Sequence, residues 1–133
     1  MKKINPVRNF LLLPFFIFLS CIPDTIKTQM DEGMQQAQEM FADQEFKKAI
    51  GIIELHKLRN GQYPISLQEL KFLGPMDSTI FQFVEYKRMD TVYELNVKSA
   101  YPTLTGKRVQ QIQLKYPKLF WKGLGCRKSN AME

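Results

Sequence analysis

The sequence predicts an α+β fold with a long N-terminal helix, a short second helix and then a three- to four-stranded antiparallel sheet. Residues 24–59 repeat apolar side chains with the period of a helix, whereas the period changes to two from residue 80 onward. Asn-Gly at 60–61 and Gly-Pro at 74–75 are turn signals that separate these segments. The chain has 133 residues, which is enough for one small domain with a single core.

The beginning of the chain indicates where the protein is targeted. A basic start precedes the apolar run at 10–19, which is too short for a transmembrane helix and has the size of a signal-peptide apolar region. The run ends in Phe18-Leu19-Ser20-Cys21, which resembles the lipobox of bacterial lipoproteins, where the cysteine is acylated and becomes the mature N-terminus. The resemblance implies that residues 1–20 are a signal peptide and that acyl chains on Cys21 hold the protein on a membrane.

Ile22, the residue after the cysteine, bears on which membrane this is. In Gram-negative sorting, an Asp at that place retains a lipoprotein at the inner membrane. The resemblance therefore implies the outer membrane, facing the periplasm. The alternative is an uncleaved, short apolar anchor in which Cys21 carries no lipid. With Cys21 acylated, Cys126 has no intramolecular partner, so it is either a small buried residue or pairs with another chain.

The predicted long helix changes character along its length. Met30, Met34, Ala37 and Phe41 fall within about 40° of Phe41 on a helical wheel and form a narrow stripe, the apolar seam. From Ala42 onward the apolar arc widens to about half of the helix, as is typical of a helix packed on a sheet. We therefore expect the second half to belong to the core.

Residues 21–45 are accordingly predicted to form a lipid anchor and a projecting helical stalk. The apolar seam on this stalk predicts a surface for a partner helix or a second copy, because methionine side chains are flexible and polarizable. Two alternatives remain: the sheet extends over the seam, or the stalk is a spacer between lipid and head.

The middle of the chain contains clear signals for the ends of helices. Gly61 is expected to end the long helix in the left-handed conformation, and Ser66-Leu67-Gln68-Glu69 has the pattern of a capping box for the short second helix. The head is predicted to span residues 46–123, and residues 124–133 are predicted to form a polar C-terminal tail. Alternating segments predict strands at 80–88, 91–98 and 109–116, with a fourth short one at 119–122.

Residues 49–70 resemble the soluble head of type IV pilins and of the major pseudopilins of type II secretion. In that family an apolar helix ends at Asn-Gly, a Tyr-Pro follows, and a Ser-Leu-x-x-Leu turn leads to an antiparallel sheet. The corresponding residues here are Asn60-Gly61, Tyr63-Pro64, and Ser66-Leu67 with Leu70. The pilin leader-peptidase site is missing, so the resemblance implies a pilin-like head on a lipid anchor and not assembly through a buried N-terminal helix.

No motif in the sequence points to catalysis, a cofactor or a metal. His56 is the only histidine, and Glu54 projects about 160° away from it around a helix, so the two cannot act as a pair. We interpret His56 as a partly buried structural residue. No ligand-type residues have the spacing of a metal site, and no glycine loop has the pattern of a phosphate site.

Charge is distributed unevenly along the chain. Residues 21–56 hold three basic and seven acidic side chains, whereas the remainder after residue 56 holds thirteen basic and six acidic. Beyond residue 20 the total is sixteen basic against thirteen acidic, which together with the periplasmic address argues against nucleic acid. The densest cluster predicts a basic-aromatic surface for anionic partners, with ordinary solubility as the alternative. This cluster comprises Lys115, Tyr116, Lys118, Trp121 and Lys122.

These features together predict a lipid-anchored periplasmic protein that serves as a non-catalytic interaction or assembly module of the bacterial envelope. Its expected partners are the membrane, through Cys21, and a protein partner or second copy, through the stalk. The alternative is a small envelope enzyme or a ligand-binding lipoprotein whose site converges only in three dimensions.

Overall fold

The computed structural model describes residues 23–72, 74–98 and 112–133. Its elements are α1 (Asp24–Asn60), two 3-10 turns (Leu67–Glu69 and Pro75–Thr79), α2 (Ile80–Phe83), β1 (Val84–Met89), β2 (Val92–Val97), a third 3-10 turn (Lys118–Trp121) and β3 (Cys126–Lys128). The predicted α+β class, with a long helix, a short second helix and a following sheet, is confirmed. The predicted signal peptide at 1–20, Cys21 and residues 109–111 of the third predicted strand lie outside the described residues.

Burial divides α1 into two parts. Every described side chain before Ala42 is exposed or half-buried, and burial begins at that residue. Gly61 ends the helix with φ of 76°, and its N–H donates to the Lys57 carbonyl at 2.8 Å. Such a left-handed end is favourable for glycine because it has no Cβ. The buried residues of α1 are Ala42, Glu45, Phe46, Ala49, Ile50 and Ile53.

The sheet is mixed, in the order β1-β2-β3, and not antiparallel throughout. β1 and β2 form an antiparallel hairpin in which Val84 lies opposite Val97. β3 runs parallel to β2, with Cys126 opposite Tyr93. A parallel neighbour needs a long crossover, and residues 98–125 are long enough to carry the chain back to the starting end of β2.

Ile80–Phe83 forms α2, although its alternating pattern predicts the start of a strand. The preceding segment nucleates a helical turn, because the Gly74 N–H donates to the Asp77 carboxylate at 2.9 Å and Pro75 occupies the first helical position. These local signals outweigh the alternation, and pairing with β2 begins only at Val84.

Two other predicted elements differ in detail. The turn after Ser66 is a 3-10 turn, and Glu69 Oε2 accepts from the Ile65 N–H at 2.8 Å, one residue before the predicted cap. Residues 118–121 form a 3-10 turn and not a fourth strand, because the Phe120 N–H donates to the Pro117 carbonyl at 2.9 Å. Within the described part of the third predicted strand, pairing is limited to a bridge between Tyr116 and Met132.

Residues 124–133 belong to the folded domain and are not a polar tail. Cys126 and Ala131 expose 1% and 0% of their surface. The Asn130 side chain pairs with the backbone of β2 as a neighbouring strand would. It accepts from the Val97 N–H and donates to the Val97 carbonyl, both at 2.9 Å. Burial raises the pKa of the Cys126 thiol to about 11, as suits a small buried residue and not a reactive one.

The core lies between the second half of α1 and the sheet. Aromatic rings fill much of it, with Tyr93 and Tyr63 meeting edge to face at 4.9 Å between centroids. The largest fully buried side chains are Tyr93, Phe46, Ile53, Ile80, Leu95 and Val84.

Substitution of two glycines tests where α1 ends. Gly61→Ala should lower the free energy of unfolding by about 1 kcal/mol, because a Cβ strains the left-handed conformation. Gly51→Ala should raise it by up to about 1 kcal/mol, because Gly51 is an exposed helical residue whose added Cβ would meet nothing within 4 Å. Chemical denaturation of both variants provides the measurement, and losses of equal size would contradict this helix end.

Candidate functional site

The apolar seam on α1 is exposed along its whole length. Met30, Met34 and Phe41 expose 49%, 40% and 57% of their surface, and Ala37 is exposed as well. Ile26 and Met40, at 46% and 66%, extend the apolar surface on one side of the seam, beyond Ala37. The sheet therefore does not cover the seam, and among the described residues nothing packs over it. Its predicted role in binding a partner stays a prediction.

The acidic residues of this half of α1 lie away from the seam. Glu32 and Glu39 project about 160–180° from Phe41, on the opposite side of the helix. Lys27, near the edge of the seam, lies 3.5 Å from the Asp24 carboxylate. The seam is thus an uncharged stripe, which another apolar surface can approach without burying a carboxylate.

A second cluster centres on the carboxylate of Glu54, a residue whose only predicted feature is that it projects away from His56. Oε2 accepts from the Tyr63 hydroxyl at 3.0 Å, and Oε1 accepts from the Tyr93 hydroxyl at 3.0 Å and the Gly125 N–H at 2.7 Å. The donors come from the turn after α1, from β2 and from the segment before β3. No local pattern in the sequence could have brought these residues together.

The tyrosines around Glu54 are held in their neutral form. Burial, together with the hydrogen bond to Glu54, raises the pKa of Tyr63 to about 12. Burial and the nearby Glu54 charge raise the pKa of Tyr93 further, and burial raises that of Tyr86 to about 12. The phenols therefore remain neutral near neutral pH, and those of Tyr63 and Tyr93 donate hydrogen bonds that hold the Glu54 carboxylate in place.

The predicted basic-aromatic surface divides into exposed lysines and buried rings. Tyr116 and Trp121 belong to the core, each exposing 8% of its surface. Tyr116 stacks on Phe46 at 5.5 Å between centroids and donates to Asp43 Oδ1 at 2.7 Å, while Trp121 Nε1 donates to the Tyr116 carbonyl. Because they are buried, Tyr116 and Trp121 offer no surface to a ligand. The sequence does not predict this, because nearby basic residues do not reveal which rings face inward.

The three lysines of that cluster differ from one another. Lys115 Nζ donates to the carbonyls of Asn130 and Met132, at 3.0 and 3.1 Å, and so fastens the C-terminal segment. Lys118 and Lys122 are exposed. The structure therefore brings together no continuous basic-aromatic face here.

His56 is half-buried and lines a cavity of about 270 Å³ beside the last two turns of α1. Arg59 and Lys71 line the same cavity, and Glu54 does not. No pattern along the helix indicates this grouping, because Lys71 joins it from beyond the helix end. Within the described ranges, no three His, Cys, Asp or Glu side chains are placed to hold a metal ion.

Comparison of the chain with family models, with curated proteins and with solved structures gave no match. Among the described helices, none is both long enough and apolar enough to cross a membrane.

Removal of the Glu54 carboxylate should destabilise the domain strongly. Glu54→Ala leaves the Tyr93 hydroxyl and the Gly125 N–H without their acceptor, at a cost of about 1–3 kcal/mol for each buried group. Glu54→Gln keeps one oxygen for these two donors and should lose clearly less. Urea denaturation measures both, with the exposed Glu85→Ala as the control for loss of a carboxylate. A Glu54→Ala variant as stable as Glu85→Ala would show that these hydrogen bonds do not stabilise the domain.

Proposed function

We propose that the protein is a lipid-anchored module of the bacterial envelope, facing the periplasm, that binds another helix through the apolar seam of α1. The observation that carries this proposal is the exposure of Met30, Met34, Ala37 and Phe41 on a helix half that lies before the buried residues of α1. A solvated spacer needs no large apolar side chains, and a contiguous stripe of them on a soluble surface is typical of an interaction site.

The spacing of the seam favours a helix as the occupant. Its residues follow one another at intervals of four, three and four, which is the alternation that keeps one stripe facing a partner helix in a coiled coil. Methionine suits such a contact because its side chain adapts to an irregular partner surface. A second copy tethered to the same membrane meets this requirement directly, and a different envelope protein meets it equally well.

The anchor is the second part of the proposal. Acyl chains contribute about 0.8 kcal/mol per buried methylene, so the two or three chains of a lipoprotein hold it on the bilayer where one does not. The resemblance of residues 18–21 to a lipobox supports this, and Ile22 supports the outer membrane. The resemblance of residues 49–70 to pilin heads supports an assembly role for the head.

Acidic substitutions in the seam test the interaction. Met34→Asp with Phe41→Asp should abolish crosslinks between the protein and its neighbours in intact envelopes, because charges would have to be buried at the contact. The head should keep its stability, since neither side chain is buried. The matched control is Gln29→Asp with Gln36→Asp, two exposed residues with the same seven-residue spacing off the seam.

The outcomes of this test separate the alternatives. Loss of crosslinks between identical chains identifies a second copy as the partner, and loss of crosslinks to another protein identifies a different one. Unchanged crosslinks would mean that the stalk is only a tether. Unfolding of the head would mean that the seam belongs to the core.

Mass spectrometry of membrane-extracted protein tests the anchor. The mature chain should begin at Cys21 and carry a diacylglycerol adduct, and Cys21→Ala should remain unprocessed. Cys126→Ala serves as the control, because a buried thiol is not an acylation site and its loss should leave processing unchanged. Recovery of an intact N-terminal methionine from the unaltered protein would refute the anchor without bearing on the seam.

A further inference from the structure

We propose that the cavity beside the last two turns of α1 is a binding site for a small organic anion with a short apolar chain. This site lies at the end of α1 remote from the seam and depends on neither the anchor nor the proposed helix contact. Its volume of about 270 Å³ is just below the range of about 300–1,000 Å³ that is typical of pockets for drug-sized ligands, so the ligand is small.

The walls of the cavity combine apolar and cationic side chains. Ile52 and Leu55 project from α1 and supply apolar surface. Arg59, one turn further along the same face, and Lys71, from the segment after the first 3-10 turn, supply positive charge. A ligand that suits both walls has an anionic head beside Arg59 and Lys71 and a hydrocarbon chain against Ile52 and Leu55.

The two cations are not paired with other described residues of the fold. Within residues 23–72, 74–98 and 112–133, neither Arg59 nor Lys71 makes an ion pair or a side-chain hydrogen bond. The role of capping the end of α1 is filled by Lys57, whose Nζ donates to the Gly61 carbonyl at 2.7 Å. Arg59 and Lys71 are therefore left available to a ligand.

The acid that lines the cavity is itself engaged elsewhere. Glu69 Oε2 accepts from the Ile65 N–H at 2.8 Å, which directs that oxygen toward the backbone of the turn. His56 and Asn60 complete the rim, and the Asn60 amide already donates to the His56 carbonyl at 3.0 Å. Among the described residues that line it, the site thus offers two unpaired cations and one imidazole against a single carboxylate that already accepts a hydrogen bond from the backbone.

The position of the site along α1 separates it from the anchoring end of the helix. At 1.5 Å per residue, Arg59 lies about 50 Å along the helix axis from Asp24. A water-soluble anion can reach the cavity whatever the first half of α1 contacts. Hexanoate, which joins an anionic head to a short alkyl chain, is a suitable probe for this class of ligand.

Titration of the isotope-labelled full chain with hexanoate tests the assignment. Saturable shifts of backbone amide signals confined to residues 52–60 and 69–71 are expected. Acetate carries the same head without the chain, and 1-hexanol carries the chain without the charge, so each should bind at least about tenfold more weakly. Binding of 1-hexanol as tight as that of hexanoate would overturn the role of the cations, and equally tight acetate binding would overturn the role of Ile52 and Leu55.

Charge-removal variants identify the cations responsible. Arg59→Gln with Lys71→Gln should weaken hexanoate binding by about tenfold or more. Lys118→Gln with Lys122→Gln removes the same charge from exposed positions outside the cavity and should leave the affinity unchanged. Absence of saturable binding to the unaltered chain, or equal weakening by both double variants, would refute the site.

Discussion

The Glu54 carboxylate projects from α1 and contacts three other segments of the chain. These are the turn after the helix, β2 and the C-terminal segment. The half-buried carboxylate accepts a hydrogen bond from each of these three segments, from Tyr63, Tyr93 and Gly125. The approach is so close that a Cβ on Gly125 would overlap the Tyr63 hydroxyl, so glycine is required there. One side chain thereby fixes how four parts of the chain meet, and the parallel pairing of β3 follows from where Gly125 is held.

Two other carboxylates in the second half of α1 also accept hydrogen bonds from other segments of the chain. Glu45 accepts from the Thr79 hydroxyl at 2.7 Å, and Asp43 accepts from the Tyr116 hydroxyl. Burial opposes ionisation of Asp43, but hydrogen bonds from Lys47 and Tyr116 outweigh it and lower the pKa of this carboxyl. In the first half, by contrast, Glu39 accepts from Gln35 within the helix. The second half of α1 is therefore linked to the rest of the domain by polar contacts as well as by apolar burial.

The sequence predicts the features that depend on neighbours along the chain. The extent of α1, its end at Gly61 and the β1–β2 hairpin follow from period and turn chemistry. The parallel β3 could not be predicted, because Cys126 and Tyr93 are brought together by a crossover and not by a local pattern. For the same reason the sequence does not predict that Trp121 faces inward or that Lys71 and Arg59 line the same cavity. Composition reports that a lysine or ring is present, and only tertiary packing decides what surrounds it.

One face of α1 carries both proposed surfaces. The apolar seam lies within about 40° of Phe41 around the helix axis, and Ile52, Leu55 and Arg59 fall within the same arc. Between them the second 3-10 turn crosses this face, where Lys48 donates to the Met76 carbonyl and the Thr79 hydroxyl. The crossing separates an apolar stripe from a cationic cavity, with about 16 Å of helix axis between Phe41 and Ile52. Because the seam and the cavity share no side chain, a helix on the seam and an anion in the cavity would not compete for one.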